Sequence, residues 1–239
     1  MDEKRLSAYN LAGWCLLPKA FPDWAIEASL DWLMAASQSA AQEYGMEPQF
    51  ELSDVANAHS IIVRKLRRLF WHDQPFWKKI LESSGVFALA SRFIPENLAL
   101  IRHAAFLKPS QVGSEVAPHQ DQVLWEYDYP KAISLWISLS QATQENGCLK
   151  LSYGSHLGGK IVHQSDGLYP WHPYIKADNE AIAKLKPLTT EPGDIVIWHR
   201  YLVHGSSANL SSANRIGMVL VFADAGLPNF RTKDIFRVV

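Results

Sequence analysis

The sequence has little cysteine and no long apolar run. Its 239 residues include two cysteines, Cys15 and Cys148, which lie far apart and form no CxxC or metal-binding spacing. This argues against a disulfide framework and favours a reducing compartment. No apolar stretch reaches the roughly 18 residues of a membrane-spanning helix, and the first ten residues contain no apolar signal region. We therefore expect a cytoplasmic protein with no membrane partner.

An excess of either charge is also absent. Lys and Arg total 23 while Asp and Glu total 24, so the net charge of -1 gives no reason to expect nucleic acid as a partner. The one basic cluster is RKLRR at residues 64–68. Apolar residues recur around it at helical spacing: Ile61, Ile62, Leu66, Leu69 and Phe70. We expect this cluster to form the solvated face of a helix.

Apolar residues, by contrast, are plentiful. Hydrophobic residues make up 48% of the chain and include nine Trp and ten Phe, enough for one sizeable core. No internal repeat or linker divides the sequence, so we expect a single domain. Residues of about 20–95 have a helical pattern and form a helical support. The pattern and its capping residues predict three helices: Asp23 to Gly45, Ser60 to Phe70, and Pro75 to Gly85.

The pattern changes to short strands after residue 97. Five apolar or alternating runs follow: LALIRHAAFL, AISLWISLS, GCLKLS, DIVIWH and RIGMVLVFAD. Turn residues separate them, which predicts an antiparallel sandwich or barrel from about 97 to 225. Helices followed by strands indicate a mainly β, α+β fold in which helices brace the sheets. Residues of about 155–186 interrupt the rhythm, and we expect a lid or binding loop there.

A candidate metal site begins with the motif HQDQ. His119 and Asp121 are two residues apart, so on a strand both side chains point to the same face and can bind one ion. Such pairs are common by chance and need a third ligand, for which His204 is the candidate. Two histidines and one carboxylate form the facial triad of non-haem Fe(II) oxygenases. The same three ligands could instead hold Zn²⁺ for hydrolysis.

Two further residues favour the oxygenase. Arg215 lies eleven residues after His204 and suits the distal carboxylate of 2-oxoglutarate, because a guanidinium binds carboxylates bidentately. Ser206, two residues after His204, offers a hydroxyl. A hydrolase has no reason to place these two residues there. His199 lacks both spacings, so we expect it to be a packed histidine rather than a ligand.

The chain resembles the phytanoyl-CoA dioxygenase family of Fe(II)/2-oxoglutarate-dependent oxygenases. The resemblance covers most of the chain and fades at residues 40–60 and 160–185. Five segments carry it: GWCLLPKAF, HQDQ, AISLWISLSQATQENGCLKLSYGSH, EPGDIVIWH and VHGSSANLSSANR. It implies a double-stranded β-helix (a jelly roll) and an O2-dependent hydroxylation of an unactivated C–H bond, with release of succinate and CO2. The site residues that it implies are His119, Asp121 and His204 for Fe(II), and Arg215, Ser206 and Trp136 for 2-oxoglutarate.

The sequence contains no recognisable substrate motif. Two aromatic stretches, VLWEYDYP and GLYPWHPYI, supply candidate substrate contacts: Trp125, Tyr127, Tyr169 and Trp171. These rings either form an apolar pocket wall or pack the lid onto the barrel. We expect a small-molecule substrate and a monomer or small homo-oligomer. A metal-dependent hydrolase and a non-catalytic small-molecule sensor on the same scaffold are the alternatives.

Overall fold

Two antiparallel sheets enclose a cavity and form the centre of the protein. A computed structural model describes residues 3–39, 49–53, 60–125, 128–167, 173–226 and 235–238. Within these residues the larger sheet has the strand order β1–β9–β6–β11–β4–β3–β2, with β12 also paired to β4. The smaller sheet has the order β5–β10–β7–β8. This arrangement confirms the predicted jelly-roll class.

The strands and helices have the following bounds. The strands are β1 Trp14–Leu17, β2 Gln49–Ser53, β3 Ser60–Arg67, β4 Leu98–Lys108, β5 Val116–His119, β6 Ala132–Ser138, β7 Leu149–Ser152, β8 Leu185–Leu188, β9 Ile195–His199, β10 His204–Ser206, β11 Arg215–Asp224 and β12 Phe236–Arg237. The α-helices are α1 Glu3–Ala12, α2 Asp23–Ser39, α3 Leu69–His72, α4 Gln74–Ser83, α5 Val86–Ala90 and α6 Glu180–Ala183. All five strand runs predicted after residue 97 are confirmed.

Helices α1 to α5 pack on the outer face of the larger sheet, whereas α6 lies against β7 of the smaller sheet. The apolar side chains of α1 to α5, such as Leu33 of α2 and Trp77 of α4, join the buried residues of the central strands in the main core. The central strands β6 and β11 are buried along nearly their whole length because both of their faces are covered. The predicted brace of helices is therefore confirmed, and the other face of the sheet is left to line the cavity.

The helix predicted from Ser60 to Phe70 is wrong. Residues 60–67 form strand β3, which pairs with β4, and a helix begins only at Leu69. The apolar residues of this segment fit either period, and pairing with the long strand β4 decides in favour of the strand. The basic cluster is consequently not a solvated face. Arg64 is buried, and the basic side chains of this cluster line the cavity.

The other helix predictions fare better. Helix α2 begins at the predicted Asp23, whereas the predicted end at Gly45 lies outside the described residues. Helix α4 ends just before Gly85, whose φ of +80° lies in the left-handed region that favours glycine. Helix α1 has no counterpart among the predictions. No helix of the described residues is long and apolar enough to span a membrane.

The segment predicted to be a lid begins with a 3₁₀ helix at Ser155–Gly158 and ends in regular structure. Its last part forms α6 and then β8, which pairs with β7 of the smaller sheet. A single bridge joins Gln164 to Tyr174 in between. Residues 168–172 lie outside the described part.

Candidate active site

Two side chains of the smaller sheet and one of the 3₁₀ helix that follows β5 converge on the wall of the cavity. His119 ends β5 and pairs with His204 at the start of β10, so the two rings lie side by side with centroids 4.3 Å apart. Asp121 opens a 3₁₀ helix directly after β5 rather than standing on the strand as predicted. The extended backbone of Gln120 keeps the two-residue alternation, so Asp121 still faces the histidines.

The facing atoms are close enough to share one ion. Asp121 Oδ1 lies 3.6 Å from His119 Nε2 and 3.6 Å from His204 Nε2. Ligand atoms of the three residues all lie within 4.8 Å of one another, and all three residues are buried. Two imidazoles and one carboxylate on one side of an ion make a facial triad, and this cluster could hold iron.

Backbone and side-chain partners fix the orientation of each of the three groups. The Nδ1 atoms of His119 and His204 lie 2.8 Å and 3.0 Å from the carbonyl oxygens of Ala117 and Leu202. Because a carbonyl only accepts, each Nδ1 carries the proton, and the Nε2 lone pair faces the centre. Asp121 Oδ2 accepts hydrogen bonds from two side chains that the predictions did not include. The donors are Ser134 Oγ at 2.5 Å and Trp198 Nε1 at 2.8 Å.

Burial and charge set the protonation states that a metal needs. Burial lowers the pKa of His204 to about 4, although Asp121 opposes this shift. Burial alone would raise the pKa of Asp121, but His204, His119 and the hydrogen bond from Ser134 outweigh it and hold the pKa below its usual value. At neutral pH His204 is therefore neutral and Asp121 is ionised, as metal ligands must be.

A buried guanidinium lies beside the triad in the same cavity. Arg215 begins β11 and is 2% exposed, and its guanidinium lies 4.8 Å from the centroid of the Trp136 ring. Burial lowers the pKa of Arg215 to about 10, so it stays charged at neutral pH. Gly217 makes this packing possible, since a Cβ there would lie 2.0 Å from Trp136 Cζ2. No motif in the sequence marks Gly217 for this role.

Ser206 has a charged partner that sequence inspection also missed. Lys108 at the end of β4 is the register partner of Arg215 and is 2% exposed. Its Nζ donates to Ser206 Oγ at 2.8 Å and to the carbonyl of Ser207. Because Ser206 Oγ accepts this bond, its own proton can point to a carboxylate. A lysine at the end of a strand run carries no sequence signal of such a contact.

The remaining residues named in the predictions have three different outcomes. Trp125 is 8% exposed and lines the cavity beside Tyr129. Tyr127, Tyr169 and Trp171 lie outside the described residues. His199 is absent from the three-residue cluster, and its ring packs against His156 and Tyr201 instead.

Gln120, the residue between two of the proposed ligands, is fully buried and joins this motif to residues 159–163. Its side-chain Nε2 donates to the carbonyl of Gly159, and its side-chain Oε1 accepts from the backbone N–H of Ile161. The Gln120 backbone N–H donates to His163 Nε2 at 3.0 Å. Residues Gly159, Ile161 and His163 are therefore fixed to the chain between His119 and Asp121.

Known proteins share both the sequence pattern and the fold. The family model described as phytanoyl-CoA dioxygenase (PhyH) matches residues 9–217. Phytanoyl-CoA dioxygenase 1 of Oryza sativa subsp. japonica is 30% identical over 70% of this chain and 59% of its own length. Phytanoyl-CoA dioxygenase domain-containing protein 1 of Danio rerio is 31% identical over 59% of this chain and 50% of its own length. The chain thus spans about half the length of the curated relatives it matches.

A solved structure supports the same architecture. EctD from S. alaskensis, crystallised with 2-oxoglutarate and 5-hydroxyectoine, superposes with a TM-score of 0.73 at 17% identity. The match covers 98% of this chain and 83% of that one. At this identity the likeness establishes the fold alone.

Proposed function

Since the chain belongs to the phytanoyl-CoA dioxygenase family, we propose that it is an Fe(II)- and 2-oxoglutarate-dependent dioxygenase. The observation that carries the proposal is the convergence of His119, Asp121 and His204 in one buried cluster beside Arg215. The buried guanidinium favours this function over zinc-dependent hydrolysis, because 2-oxoglutarate carries a distal carboxylate that needs a cation beside the metal.

The donor set fits an iron ion. Both histidines direct Nε2 lone pairs inwards because their Nδ1 protons are donated to backbone carbonyls. Asp121 offers Oδ1, while Ser134 and Trp198 occupy Oδ2. Three protein ligands on one side leave positions for co-substrate and O2, and a bound iron would supply the activation of O2 with oxidation of 2-oxoglutarate to succinate and CO2.

The co-substrate would lie between the metal cluster and Arg215. Its distal carboxylate would accept hydrogen bonds from the Arg215 guanidinium and from Ser206 Oγ, whose lone pair is already engaged by Lys108. Trp136 would hold the guanidinium in place from the other side. We expect the keto acid end to reach the metal cluster.

The reaction that fits this cavity best is oxidation of a small molecule, most simply hydroxylation of an unactivated C–H bond. The chain's own residues would bind and orient the substrate and keep water out. Trp125, Leu124 and Val221 provide the apolar walls close to Asp121. Orientation decides which hydrogen lies over the metal, and so decides the product.

The proposal is tested by measuring succinate formed from 2-oxoglutarate under air, with Fe(II) and with a collection of small metabolites. We expect slow succinate formation that requires Fe(II) and accelerates when a substrate is present. A matched sample of Asp121→Ala should form none. If the wild-type protein neither binds 2-oxoglutarate by calorimetry with Mn(II) present nor forms succinate, the proposal is wrong.

A further inference from the structure

Strand β6 presents three polar or aromatic side chains to the cavity side of the larger sheet. Residues 134, 136 and 138 alternate along the strand and therefore share one face. Ser134 donates to the proposed metal ligand Asp121, and Trp136 packs against Arg215. Ser138 is fully buried and contacts Trp136 itself. The first two residues thus support the metal cluster and the co-substrate site, and the contact of the third indicates what it does.

The ring of Trp136 helps to aim the Arg215 guanidinium. Arg215 Nε is buried and has no hydrogen-bond partner among the residues that the structure describes. Its guanidinium carbon lies 4.8 Å from the centroid of the Trp136 ring, within the range of a cation–π contact. A bidentate bond to a carboxylate requires the guanidinium fork to face it squarely. The orientation of the indole therefore affects how well Arg215 can bind a carboxylate.

One hydrogen bond selects the orientation of that indole. The second torsion of a tryptophan joins sp³ and sp² atoms, so its preference is broad and does not choose which edge of the ring faces a given neighbour. The indole N–H is a single donor, and Trp136 Nε1 donates to Ser138 Oγ at 2.9 Å. The ring also lies against Gly217, where a Cβ would be 2.0 Å from Trp136 Cζ2. The bond to Ser138 and the close approach to Gly217 together fix the ring.

Ser138 is held in turn by Thr190. The two hydroxyl oxygens lie 2.6 Å apart, and both residues are buried. Since Ser138 Oγ accepts from the indole, its own proton can be donated to Thr190 Oγ1. The backbone of Thr190 exchanges two hydrogen bonds with that of Ala142. A chain of hydrogen bonds therefore runs from Thr190 through Ser138 to the indole that packs on the guanidinium.

The turn at residues 191–194, in the EPGDIVIWH segment, fixes the backbone of Ser138. Gly193 N donates to the carbonyl of Ser138 at 2.8 Å, and Ser138 N donates to the carbonyl of Asp194 at 3.0 Å. The φ of Gly193 is +89°, which favours glycine. The Asp194 carboxylate accepts from the backbone N–H of Lys19 at 2.9 Å, so the turn is itself anchored. This turn gives the hydroxyl of Ser138 a defined position.

We propose that Ser138 and Thr190 are positioning residues for the co-substrate. They hold the indole of Trp136 in the orientation that directs the Arg215 guanidinium at the distal carboxylate of 2-oxoglutarate. The inference rests on the dioxygenase function above, since it requires that 2-oxoglutarate binds at Arg215. A purely structural role of the two hydroxyls would lower stability without changing the affinity of the folded protein for 2-oxoglutarate, so binding distinguishes the two roles.

Calorimetric titration of 2-oxoglutarate into the Mn(II)-loaded protein measures this effect. Ser138→Ala removes the acceptor of the indole N–H, so the affinity for 2-oxoglutarate should fall by about three- to tenfold, as for one buried hydrogen bond. The affinity for Mn(II) should not change. Ser29→Ala is the matched control, because Ser29 is equally buried but lies on α2, and it should bind 2-oxoglutarate like the wild type.

A second pair of variants tests the other hydroxyl. Thr190→Val removes the hydroxyl at nearly constant shape and should weaken 2-oxoglutarate by about two- to threefold, because Ser138 keeps its bond to the indole but loses its own partner. Thr190→Ser keeps the hydroxyl and should bind like the wild type.

The indole N–H signals of ¹⁵N-labelled protein report on Trp136 directly. The chain has nine tryptophans, and Trp136→Phe identifies the signal of Trp136 in protein loaded with diamagnetic Zn(II). In Ser138→Ala this signal should move upfield, further than the other indole signals, because its N–H has lost its acceptor.

The outcomes separate this inference from the function on which it rests. If 2-oxoglutarate does not bind the Mn(II)-loaded wild-type protein, the dioxygenase function fails and the inference falls with it. If the wild type binds 2-oxoglutarate and Ser138→Ala binds it as tightly, or the Trp136 signal of Ser138→Ala does not move, the inference alone is wrong. Should Ser138→Ala not fold, equal 2-oxoglutarate affinities of Thr190→Val and Thr190→Ser would overturn it.

Discussion

Replacing Arg215 with Ala should weaken the binding of 2-oxoglutarate and leave metal binding intact. The side chain is 2% exposed, so a carboxylate bound there is removed from water and depends on its partner. Truncating one member of such a buried charge pair costs about 2–5 kcal/mol. Lys108 keeps a positive charge beside Ser206. We therefore expect the lower part of the range, about 2–3 kcal/mol or about 30- to 150-fold in affinity.

The assay is calorimetric titration of 2-oxoglutarate into protein loaded with Mn(II) in the absence of Fe(II). Arg92→Ala is the control, because Arg92 is an exposed arginine that does not line the cavity. Ser206→Ala should lie between the two, at about 1 kcal/mol or slightly more, as for one hydrogen bond that meets a charge. An Arg215→Ala protein that binds Mn(II) and 2-oxoglutarate as tightly as the wild type would refute this reasoning.

Two further predictions concern packing and pH. The new methyl group of Gly217→Ala should collide with Trp136 and lower the free energy of unfolding by about 1–3 kcal/mol. Thermal unfolding would detect this loss. Gly158→Ala is a neutral control, because a Cβ at Gly158 would have nothing within 4 Å. His103 packs edge-on against Trp77, and burial lowers its pKa to about 3. Below a pH of about 6.5 the histidine therefore binds a proton in the unfolded chain but not in the folded protein. The free energy of unfolding consequently falls as the pH drops towards 3. Between pH 6.5 and 5, the free energy of unfolding measured with urea should fall by about 2 kcal/mol less in His103→Leu than in the wild type. An identical fall in the wild type and in His103→Leu would contradict the assigned burial.

The strand runs and the His119–Asp121 pair could be predicted because both rest on short spacings, and His204 could be added because Ser206 and Arg215 follow it at fixed distances. The alternation in RIGMVLVFAD and the two-residue step from His119 to Asp121 are local properties. The apolar residues of 60–67 fit a helical period and a strand period alike, so the sequence cannot separate the two, and only pairing with the partner strand β4 decides.

Long-range contacts explain the rest of what the sequence concealed. The net charge of -1 does not indicate the basic lining of the cavity. The acidic residues lie mainly outside the cavity, while the fold brings Lys65 and Arg102 together there from two strands. The hydrogen bond from Lys108 to Ser206 joins residues 98 positions apart. Neither residue type nor spacing marks such pairs before the chain is folded.

The most direct test of the metal centre is a Mn(II) titration followed by electron paramagnetic resonance. We expect one ion to bind per chain of the wild-type protein and of His199→Ala, since the ring of His199 packs against His156 and Tyr201 and lies outside the cluster. His204→Ala should lose this binding while keeping its folded state by circular dichroism. Loss of the ion in His199→Ala together with its retention in His204→Ala would contradict the assigned ligands.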